Sequence, residues 1–451
     1  MKRAILILLT MLILVSVNGQ ETNEEKQPRV KEGWKVGGVL PTITYDSDLG
    51  FQYGLLMNVY NYGSGDIFPK YYQSLYFEVS RYTKGSGIYR FMFDSDHLIP
   101  GIHMTTDLSY LTDQAYDFYG FNGYDAVYNK SWMDQDENGG EDYKSRMYYR
   151  HARNLFRFKN DFSGKLAGDH LLWNAGLTFQ NFDVASVNIE KLNKGKDPDE
   201  LLPAVEDEPG IYELYQEWGL ISPEEADGGW INSLKLGLMY DTRDNRPNPW
   251  KGIWAEAGIE MSPEFIGSES SFGKFYFTYR QYLTLVKTRL AFAYRLGYQQ
   301  TLYGDVPFYY QSQLITSLLR GATSEGLGGS KTLRGIKRNR VIGNGFVYGN
   351  AELRWRAVKF NFINQNFYLG INAFTDFGMV TDKIPVNPNI NDPEIVQTDY
   401  FNPGAEKLHF DAGLGLRLAI NENFIISADL GKAFNDQDGG IGFYMGLNYL
   451  F

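Results

Sequence analysis

The sequence predicts an all-β protein, a transmembrane antiparallel β-barrel of about sixteen strands. Three observations predict this fold: apolar and polar residues alternate along many segments, short and long connections alternate between these segments, and aromatic residues make up 16% of the chain. Alternation with period two indicates strands whose two faces meet different surroundings, here hydrocarbon and a wet lumen. Aromatic residues are enriched where such a barrel crosses the two membrane interfaces.

The clearest alternation lies near the end of the chain. One face is apolar from Leu408 to Ile420, whereas the opposite face carries Asp411 and Arg417. A helix would place Asp411 and Leu414 on the same side, so a strand explains the pattern better. The same analysis predicts strands at 35–46, 49–61, 70–82, 86–97, 100–112, 146–160, 169–183, 231–243, 252–262, 272–285, 288–301, 346–358, 366–379, 408–420, 423–433 and 441–451.

The connections between these strands sort by length. Short turns follow even-numbered strands, whereas long connections follow odd-numbered strands near 113–145, 184–230, 302–345 and 380–407. Bacterial barrels have short inner turns and long outer loops, with both chain ends inside. A soluble sandwich has no physical reason to sort its loops in this way, so the membrane barrel is the better interpretation.

The beginning of the chain has the pattern of an export signal. Lys2 and Arg3 precede an apolar run from Ala4 to Val17, which predicts a cleaved signal peptide over 1–19. The run is shorter than the roughly 20 residues that a spanning helix needs. We therefore expect a short periplasmic tail at 20–34 and a barrel at 35–451, located in the outer membrane of a Gram-negative bacterium in contact with its lipid.

Composition excludes several classes of function. The chain has no cysteine, which removes disulfides, thiolate nucleophiles and cysteine metal ligands. Its net charge of −11 argues against nucleic acid as a partner, since a basic patch is the expected footprint. The five histidines show no ligand spacing. We predict that the protein is not an enzyme and has no catalytic residue, no metal and no cofactor.

One motif lies at the turn between the eighth and ninth predicted strands. The turn contains Asp241, Arg243, Asp244, Pro249 and Gly252. It resembles a turn of the bacterial surface-antigen barrel superfamily, which includes the BamA and TamA assembly factors and the two-partner secretion transporters. Asn-Pro and Gly suit a tight turn. Asp241 and Arg243 share a strand face, so they can pair toward the lumen.

A second motif, Arg334-Gly335-Ile336, lies in the long loop after the eleventh predicted strand. It resembles the Arg-Gly-aromatic motif of the family's sixth outer loop, with Ile336 in the aromatic position. The resemblance implies that the loop folds back into the lumen, where Arg334 contacts acids on the next two strands. Glu352 and Asp376 are the matching acids, and alternation places both on the lumen face. A desolvated Arg needs such partners.

The last strand, ending in Phe451, resembles the assembly signal read by the outer-membrane insertion machinery. The resemblance is best over 231–451. Family members that insert or secrete proteins carry periplasmic POTRA domains before the barrel, whereas only 20–33 precede the first predicted strand here. We therefore expect a barrel-only member of the BamA/TamA family.

The first predicted strand contains Gly37, Gly38 and Pro41. In the family, the first and last strands meet at a weak seam proposed to open sideways. Proline donates no ladder hydrogen bond, so Pro41 opposite Phe443–Tyr449 would leave the seam, which runs to Phe451, short of hydrogen bonds. The alternative is a shortened first strand with Pro41 beyond the ladder.

The resemblance implies a barrel that assists insertion or translocation of a protein or lipid client at the outer membrane, beside a periplasmic or outer-membrane protein partner. Two alternatives remain at this stage. One is a structural barrel whose outer loops bind other proteins. The other is a passive channel or receptor, in which lumen arginines set solute preference. The arginines of that second alternative are Arg289, Arg295, Arg354, Arg356 and Arg417.

Overall fold

The computed structural model describes residues 30–451 except 69, 247, 317–324, 363–364 and 421–423. The predicted signal peptide and most of the predicted tail lie outside the described residues. Within them, sixteen antiparallel strands form a closed barrel in which each strand pairs with its chain neighbours and β1 meets β16. The strands are β1 (Trp34–Asp46), β2 (Gly50–Asn61), β3 (Gln73–Tyr82), β4 (Gly87–Ile99), β5 (Ile102–Asp117), β6 (Arg150–Ala167), β7 (Leu171–Ala185), β8 (Gly228–Asp241), β9 (Gly252–Ser262), β10 (Phe272–Val286), β11 (Leu290–Gly304), β12 (Gly345–Phe362), β13 (Gln365–Asp382), β14 (His409–Ile420), β15 (Phe424–Ala433) and β16 (Ile441–Leu447).

Side-chain burial follows the predicted alternation. In β14, Leu414 and Leu416 are 62% and 55% exposed, whereas Asp411 and Arg417 are fully buried. Apolar side chains outside and charged side chains inside are the arrangement of a membrane barrel with a polar interior. The predicted fold class and the parity of the strand faces are therefore confirmed.

The last strand differs from its prediction. β16 ends at Leu447, whereas alternation predicts a strand through Phe451. Asn448 adopts a left-handed conformation with φ of 68°, and its backbone N–H donates to the Ile425 carbonyl oxygen at 2.8 Å. This turn directs the last three residues into the lumen, where Phe451 is buried. The prediction that Phe451 belongs to the wall is wrong, because its ring packs inside the barrel.

The long outer loops pack together above the barrel. In the described residues they carry four short α-helices, α1 (Ile189–Asn193), α2 (Ile211–Glu217), α3 (Pro223–Ala226) and α4 (Phe308–Gln311). None of the helices in the described parts of the chain has the length and apolarity needed to cross a bilayer. The loops share a buried core that is mostly aromatic, which we call the outer cap. Its aromatic members from the loops are Phe118, Tyr119, Phe121, Tyr128, Trp132, Tyr148, Tyr149, Tyr212, Tyr215, Trp218, Phe308, Tyr309, Tyr310, Tyr400 and Phe401.

The acidic stretch at 197–227 belongs to this outer cap. Its composition suggests a solvated loop, but Tyr212, Tyr215 and Trp218 are each 2% exposed or less. A short helix begins after Ser222, whose backbone N–H donates to Glu225 Oε1 at 3.0 Å. Most of the described acids of this stretch are exposed, whereas its aromatic residues are buried in the outer cap.

Candidate functional site

The outer loop between β11 and β12, residues 305–344, reaches the barrel wall through Arg334. The Arg334 Nη1 atom lies 2.7 Å from Glu352 Oε1 on β12. Its Nε and Nη2 donate to the two carboxylate oxygens of Asp376 on β13, both at 2.9 Å. The backbone N–H of Arg334 also donates to Asp376 at 3.0 Å. The structure therefore brings together the three charged residues that the sequence analysis selects.

Burial makes these contacts strong and costly to lose. Arg334, Glu352 and Asp376 are each 1% exposed or less, and the Arg334 guanidinium lies 3.5 Å from the centroid of the Phe374 ring. Burial opposes the charged form of Arg334, but Asp376 and Glu352 more than offset it and raise the pKa of Arg334 above its usual range. Bidentate pairing with a carboxylate requires the planar fork of Arg, which Lys lacks.

Three glycines let the loop backbone lie directly against the wall. A Cβ on Gly442 of β16 would lie 2.5 Å from the Arg334 carbonyl oxygen, and one on Gly431 of β15 would lie 2.7 Å from the Arg334 carbonyl carbon. A Cβ on Gly335 would lie 2.6 Å from the Asp411 side chain. We call Gly335, Gly431 and Gly442 the glycine seat. The sequence analysis includes Gly335 but misses the two strand glycines.

Further lumen charges surround Arg334. Glu352 also pairs with Arg354 at 2.8 Å, and Arg417 pairs with Asp429 at 2.8 Å. The backbone N–H of Gly335 donates to Asp411 at 2.9 Å. The alternation of β14 and β15 places Asp411, Arg417 and Asp429 on the lumen face. This placement is the one feature of the sequence that indicates their position near Arg334.

A second loop arginine reaches a distant part of the wall. Arg338 Nε lies 2.8 Å from Asp117 at the end of β5, and Nη1 lies 3.6 Å from Asp113. Burial opposes its charge, but Asp117, Glu325 and Asp113 raise the pKa of Arg338 well above its usual range. The loop is thus held to β12 and β13 through Arg334 and to β5 through Arg338.

A third loop arginine holds the outer cap. Arg340 donates to the carbonyl oxygens of Gly123 at 2.6 Å, Ala126 at 2.9 Å and Gln437 at 2.7 Å. These acceptors lie in the β5–β6 and β15–β16 connections. Neither Arg338 nor Arg340 lies in a recognised motif, so the sequence alone indicates only Arg334.

The β8–β9 turn forms the arrangement that its residues predict. Arg243 donates to both carboxylate oxygens of Asp241 at 2.9 Å, and Asp244 Oδ1 accepts from the backbone N–H groups of Trp250 and Lys251 at 3.0 and 3.2 Å. Gly252 has φ of 109°, and a Cβ there would lie 2.3 Å from the Thr242 carbonyl oxygen.

This turn also closes part of the inner mouth. Pro249 is buried between Asn248 and Trp250. Asn248 Nδ2 donates to the hydroxyl of Tyr368 on β13 at 3.2 Å, and the Arg356 guanidinium lies 3.8 Å from the centroid of the Trp250 ring.

The seam between β1 and β16 is short. Within the described part of the chain, its ladder consists of Tyr45 opposite Met445 and Asp46 opposite Tyr444. Beyond the ladder, the backbone N–H of Ser47 donates to the Phe443 carbonyl oxygen at 3.1 Å. Phe443 therefore lies at the upper end of the seam, next to Ser47.

Pro41 lies below this ladder and pairs with Leu55 of β2. The prediction that Pro41 lies opposite Phe443–Tyr449 is wrong, because the chain leaves the wall at Asn448 before it reaches the level of Pro41. β1 is also not shortened. Gly37 and Gly38 lie at a register shift between β1 and β2, and Gly38 has φ of 135°.

A carboxyl group lies at the outer end of the seam. Asp48, in the β1–β2 turn, accepts a hydrogen bond from the Tyr444 hydroxyl at 3.1 Å. Burial and the neighbouring carboxylates of Asp46 and Asp117 raise the pKa of Asp48 to about 7. The protonation of this turn therefore changes near neutral pH.

Comparison with known proteins shows the family. The Omp85 superfamily domain matches residues 101–451, which is well over half of the chain. No curated protein matches it. Among solved structures, BamA from Haemophilus ducreyi lacking POTRA domains 1–3 has a TM-score of 0.51 at 14% identity, over 93% of this chain and 70% of that one. CdiB from Escherichia coli has a TM-score of 0.51 at 11% identity, over 91% of this chain and 63% of that one.

At these identities, the two solved structures show a shared barrel fold. The family match and this fold together establish that the chain belongs to the Omp85 superfamily, as an outer-membrane barrel of a Gram-negative bacterium.

Proposed function

We propose that this member of the Omp85 superfamily assists insertion or translocation of a protein or lipid client at the outer membrane, without catalysing a covalent reaction. The observation that carries the proposal is the short ladder at Tyr45–Met445 and Asp46–Tyr444. Every other pair of neighbouring strands has a longer ladder in the described residues, so the wall parts most easily at this seam. A partner protein on the periplasmic side delivers the client.

The loop contacts support a stable barrel around a seam that opens. Arg334 fixes the β11–β12 loop to Glu352 and Asp376, on the side of the lumen where strand pairing is extensive. The same loop lies against Gly431 and Gly442 beside the seam. We infer that the loop supports the barrel from inside while β1 and β16 separate.

A disulfide across the seam tests this proposal. Tyr45→Cys with Met445→Cys places two thiols at directly opposed positions of the ladder. The matched control is Leu414→Cys with Leu430→Cys, which are opposed on β14 and β15. We expect the oxidised seam variant to reproduce the changed outer-membrane composition of a strain that lacks the gene, with recovery on reduction, whereas the control remains normal.

Two outcomes contradict the proposal. Normal outer-membrane composition with a quantitatively formed seam disulfide shows that the seam does not need to open. Normal composition after loss of the gene shows that the protein does not assist assembly.

The passive-channel alternative has less support. Arg354 and Arg417 are fully buried, and Arg295 and Arg356 are 6% and 8% exposed. Arg289 lies exposed at the β10–β11 turn, outside the lumen wall. An open channel would expose its lining charges to water. In planar bilayers we expect a closed wild-type barrel that opens on Arg334→Ala, and a steady open wild-type pore would favour the channel.

A further inference from the structure

Positive charge is concentrated on one side of the inner rim of the barrel. Four exposed cations lie at or beside three consecutive inner turns, the β8–β9, β10–β11 and β12–β13 connections. They are Lys251, Lys287, Arg289 and Lys359, which we call the basic rim. In the described part of the chain, no ion pair joins any of the four to a carboxylate. Their charges are therefore available to a ligand outside the protein.

The three turns form one continuous surface. Consecutive inner turns are two strands apart, which is about 10 Å. The Thr284 hydroxyl of β10 donates to the Trp250 carbonyl oxygen in the β8–β9 turn at 2.9 Å. The backbone N–H of Arg356 on β12 donates to the Arg289 carbonyl oxygen in the β10–β11 turn at 2.8 Å. These contacts hold the cations of the basic rim along one arc of the inner mouth.

The acids near the basic rim do not balance its charge. Asp241 is paired with Arg243 at 2.9 Å. Asp244 Oδ1 accepts hydrogen bonds from the backbone N–H groups of Trp250 and Lys251, and so stabilises the turn itself. Asp244 is the one acid within the described residues of these three turns that lacks a cation partner, against four unpaired cations. The arc therefore keeps a net positive charge.

The three inner turns nearer the start of the chain have no such excess. Acids equal or outnumber lysines there, and an exposed lysine of the β6–β7 turn is paired with an acid of the same turn. The charged residues are Asp66 and Lys70 at the β2–β3 turn, Asp94 and Asp96 beside the β4–β5 turn, and Lys165 and Asp169 at the β6–β7 turn. The basic rim is thus confined to one side of the barrel.

The basic rim lies at the level where hydrocarbon gives way to lipid headgroups. Lys287 directly follows Val286, and Lys359 directly precedes Phe360, and both apolar side chains are exposed on the outside of the barrel. Phe360 stacks on Phe367 of β13 with ring centroids 5.3 Å apart. Aromatic residues are enriched at membrane interfaces. The long side chains of Lys and Arg can lie along this apolar surface while their charged ends reach the headgroups.

We propose that the basic rim binds anionic phospholipid headgroups in the periplasmic leaflet of the outer membrane. Phosphatidylglycerol suits it because its phosphate charge is not balanced by an amine, as it is in phosphatidylethanolamine. The exposed apolar and aromatic neighbours favour a lipid over an acidic protein, which would need no hydrocarbon beside its charges. The basic rim lies across the barrel from β1 and β16, so this inference does not depend on opening of the seam.

Photocrosslinking from two exposed positions tests the proposal. The full chain is placed in nanodiscs of phosphatidylethanolamine with a minor share of phosphatidylglycerol. A photoreactive phenylalanine analogue replaces Phe360 beside the basic rim. The matched control replaces Leu98, which is exposed at the inner end of β4. Mass spectrometry of the crosslinked lipid should show enrichment of phosphatidylglycerol at position 360, whereas position 98 should report the composition of the nanodisc.

Removal of charge tests the residues themselves. The variant combines Lys287→Gln, Arg289→Gln and Lys359→Gln, with the photoreactive group at position 360. Each substitution should lower the preference for phosphatidylglycerol about fivefold at low salt. The preference in the wild type should also fall as salt is added, because exposed charges are screened.

The control variant removes the same charge from the rest of the inner rim. It combines Lys31→Gln, Lys70→Gln and Lys165→Gln, which are likewise exposed. We expect its crosslinks from position 360 to match those of the wild type. Gel mobility before and after heating verifies that both triple variants are folded barrels.

Three results overturn the inference: equal shares of phosphatidylglycerol at positions 360 and 98, equal losses of enrichment in the two triple variants, or crosslinks from position 360 in cells to an acidic protein in place of lipid. The disulfide variant Tyr45→Cys with Met445→Cys should keep the enrichment. Lipid binding and seam opening can therefore fail independently, and the two proposals are tested separately.

Discussion

The β12–β13 hairpin and the β1–β16 seam are opposite extremes of one barrel wall. β12 and β13 pair over their whole length, from Gly345–Asp382 to Phe362–Gln365, with two register shifts. β1 and β16 pair at Tyr45–Met445 and Asp46–Tyr444. Arg334 is bound to the hairpin, and its backbone lies against glycines near the seam. The difference shows that Arg334 forms its shortest ion pairs with the strands whose ladder is longest. Beside the shortest ladder, the backbone of the loop lies in close contact with the wall.

The largest effect is expected from Arg334→Ala, which removes the hairpin contact. Glu352 and Asp376 remain buried without this partner, which costs about 3–5 kcal/mol. The unfolding free energy of Arg334→Lys should lie between those of wild type and Arg334→Ala, because Lys cannot pair with a carboxylate in bidentate fashion. Urea unfolding in vesicles measures the loss, with the exposed Arg146→Ala as a control. If Arg334→Ala had the same unfolding free energy as wild type, Arg334 would not be an anchor of the β11–β12 loop.

Gly442→Val tests the seat near the seam. A Cβ there would lie 2.5 Å from the Arg334 carbonyl oxygen, so the loop has to move. Overpacking of this kind costs about 1–3 kcal/mol. Faster proteolysis within the β11–β12 loop should accompany the loss. Gly440→Val is the matched control, since a Cβ at Gly440 meets no atom within 4 Å. If the two variants had the same stability and the same rate of loop proteolysis, Gly442 would have no role in seating the loop.

Arg338→Gln removes the contact with β5. We expect a smaller loss, about 1–2 kcal/mol, because Asp113 and Asp117 retain Arg153 and Arg150 at 2.6 and 3.2 Å. The measurement is the same urea unfolding, compared with Arg334→Gln. A larger loss for Arg338→Gln would place the main anchor on β5 and reverse the order of the two contacts.

A pH effect is expected at the outer end of the seam. Because the pKa of Asp48 is raised to about 7 from the ordinary 3.8, the folded protein holds this proton more tightly than the unfolded chain. Its contribution to stability is complete below about pH 4 and falls as the pH rises to about 7. The difference in unfolding free energy between wild type and Asp48→Asn should change in this window. A constant difference from pH 4 to 8 would refute the assignment.

The smallest effect is expected from Lys165→Gln at the inner β6–β7 turn. Lys165 and Asp169 are 2.6 Å apart, but their side chains are 69% and 79% exposed. Exposed ion pairs contribute little because water and salt screen them. The unfolding free energy in urea should match that of wild type within error. A clear loss would show that exposed ion pairs at the inner turns contribute to the stability of the barrel.

Sequence analysis predicted the wall well and the lumen only in part. Alternation fixes strand faces because each side chain meets either lipid or the interior, and this placed Glu352 and Asp376 inward. The same alternation continues through Tyr449 and Phe451, so it could not show that the chain leaves the wall at Asn448. An aromatic residue at every second position is equally compatible with rings that face lipid and with rings that turn into the lumen.

Long-range contacts were the other part missed. Arg338 and Asp117 are 221 residues apart, and a single sequence carries no information that pairs them. Gly431 and Gly442 look like ordinary strand glycines, since only the close backbone of Arg334 gives them a role. In the outer cap, the aromatic residues Tyr212, Tyr215 and Trp218 were the feature of the acidic segment that could have indicated its burial.

The three loop arginines have a consequence for how the barrel forms. Arg338 binds a residue of β5, Arg334 binds β12 and β13, and Arg340 binds Gln437, just before β16. Their partners therefore span nearly the whole order of synthesis, and contacts of such high sequence separation form late. A chain that stops short of its last hairpin lacks the Gln437 carbonyl and Gly442, so the complete set of loop contacts forms only when the whole barrel has been assembled.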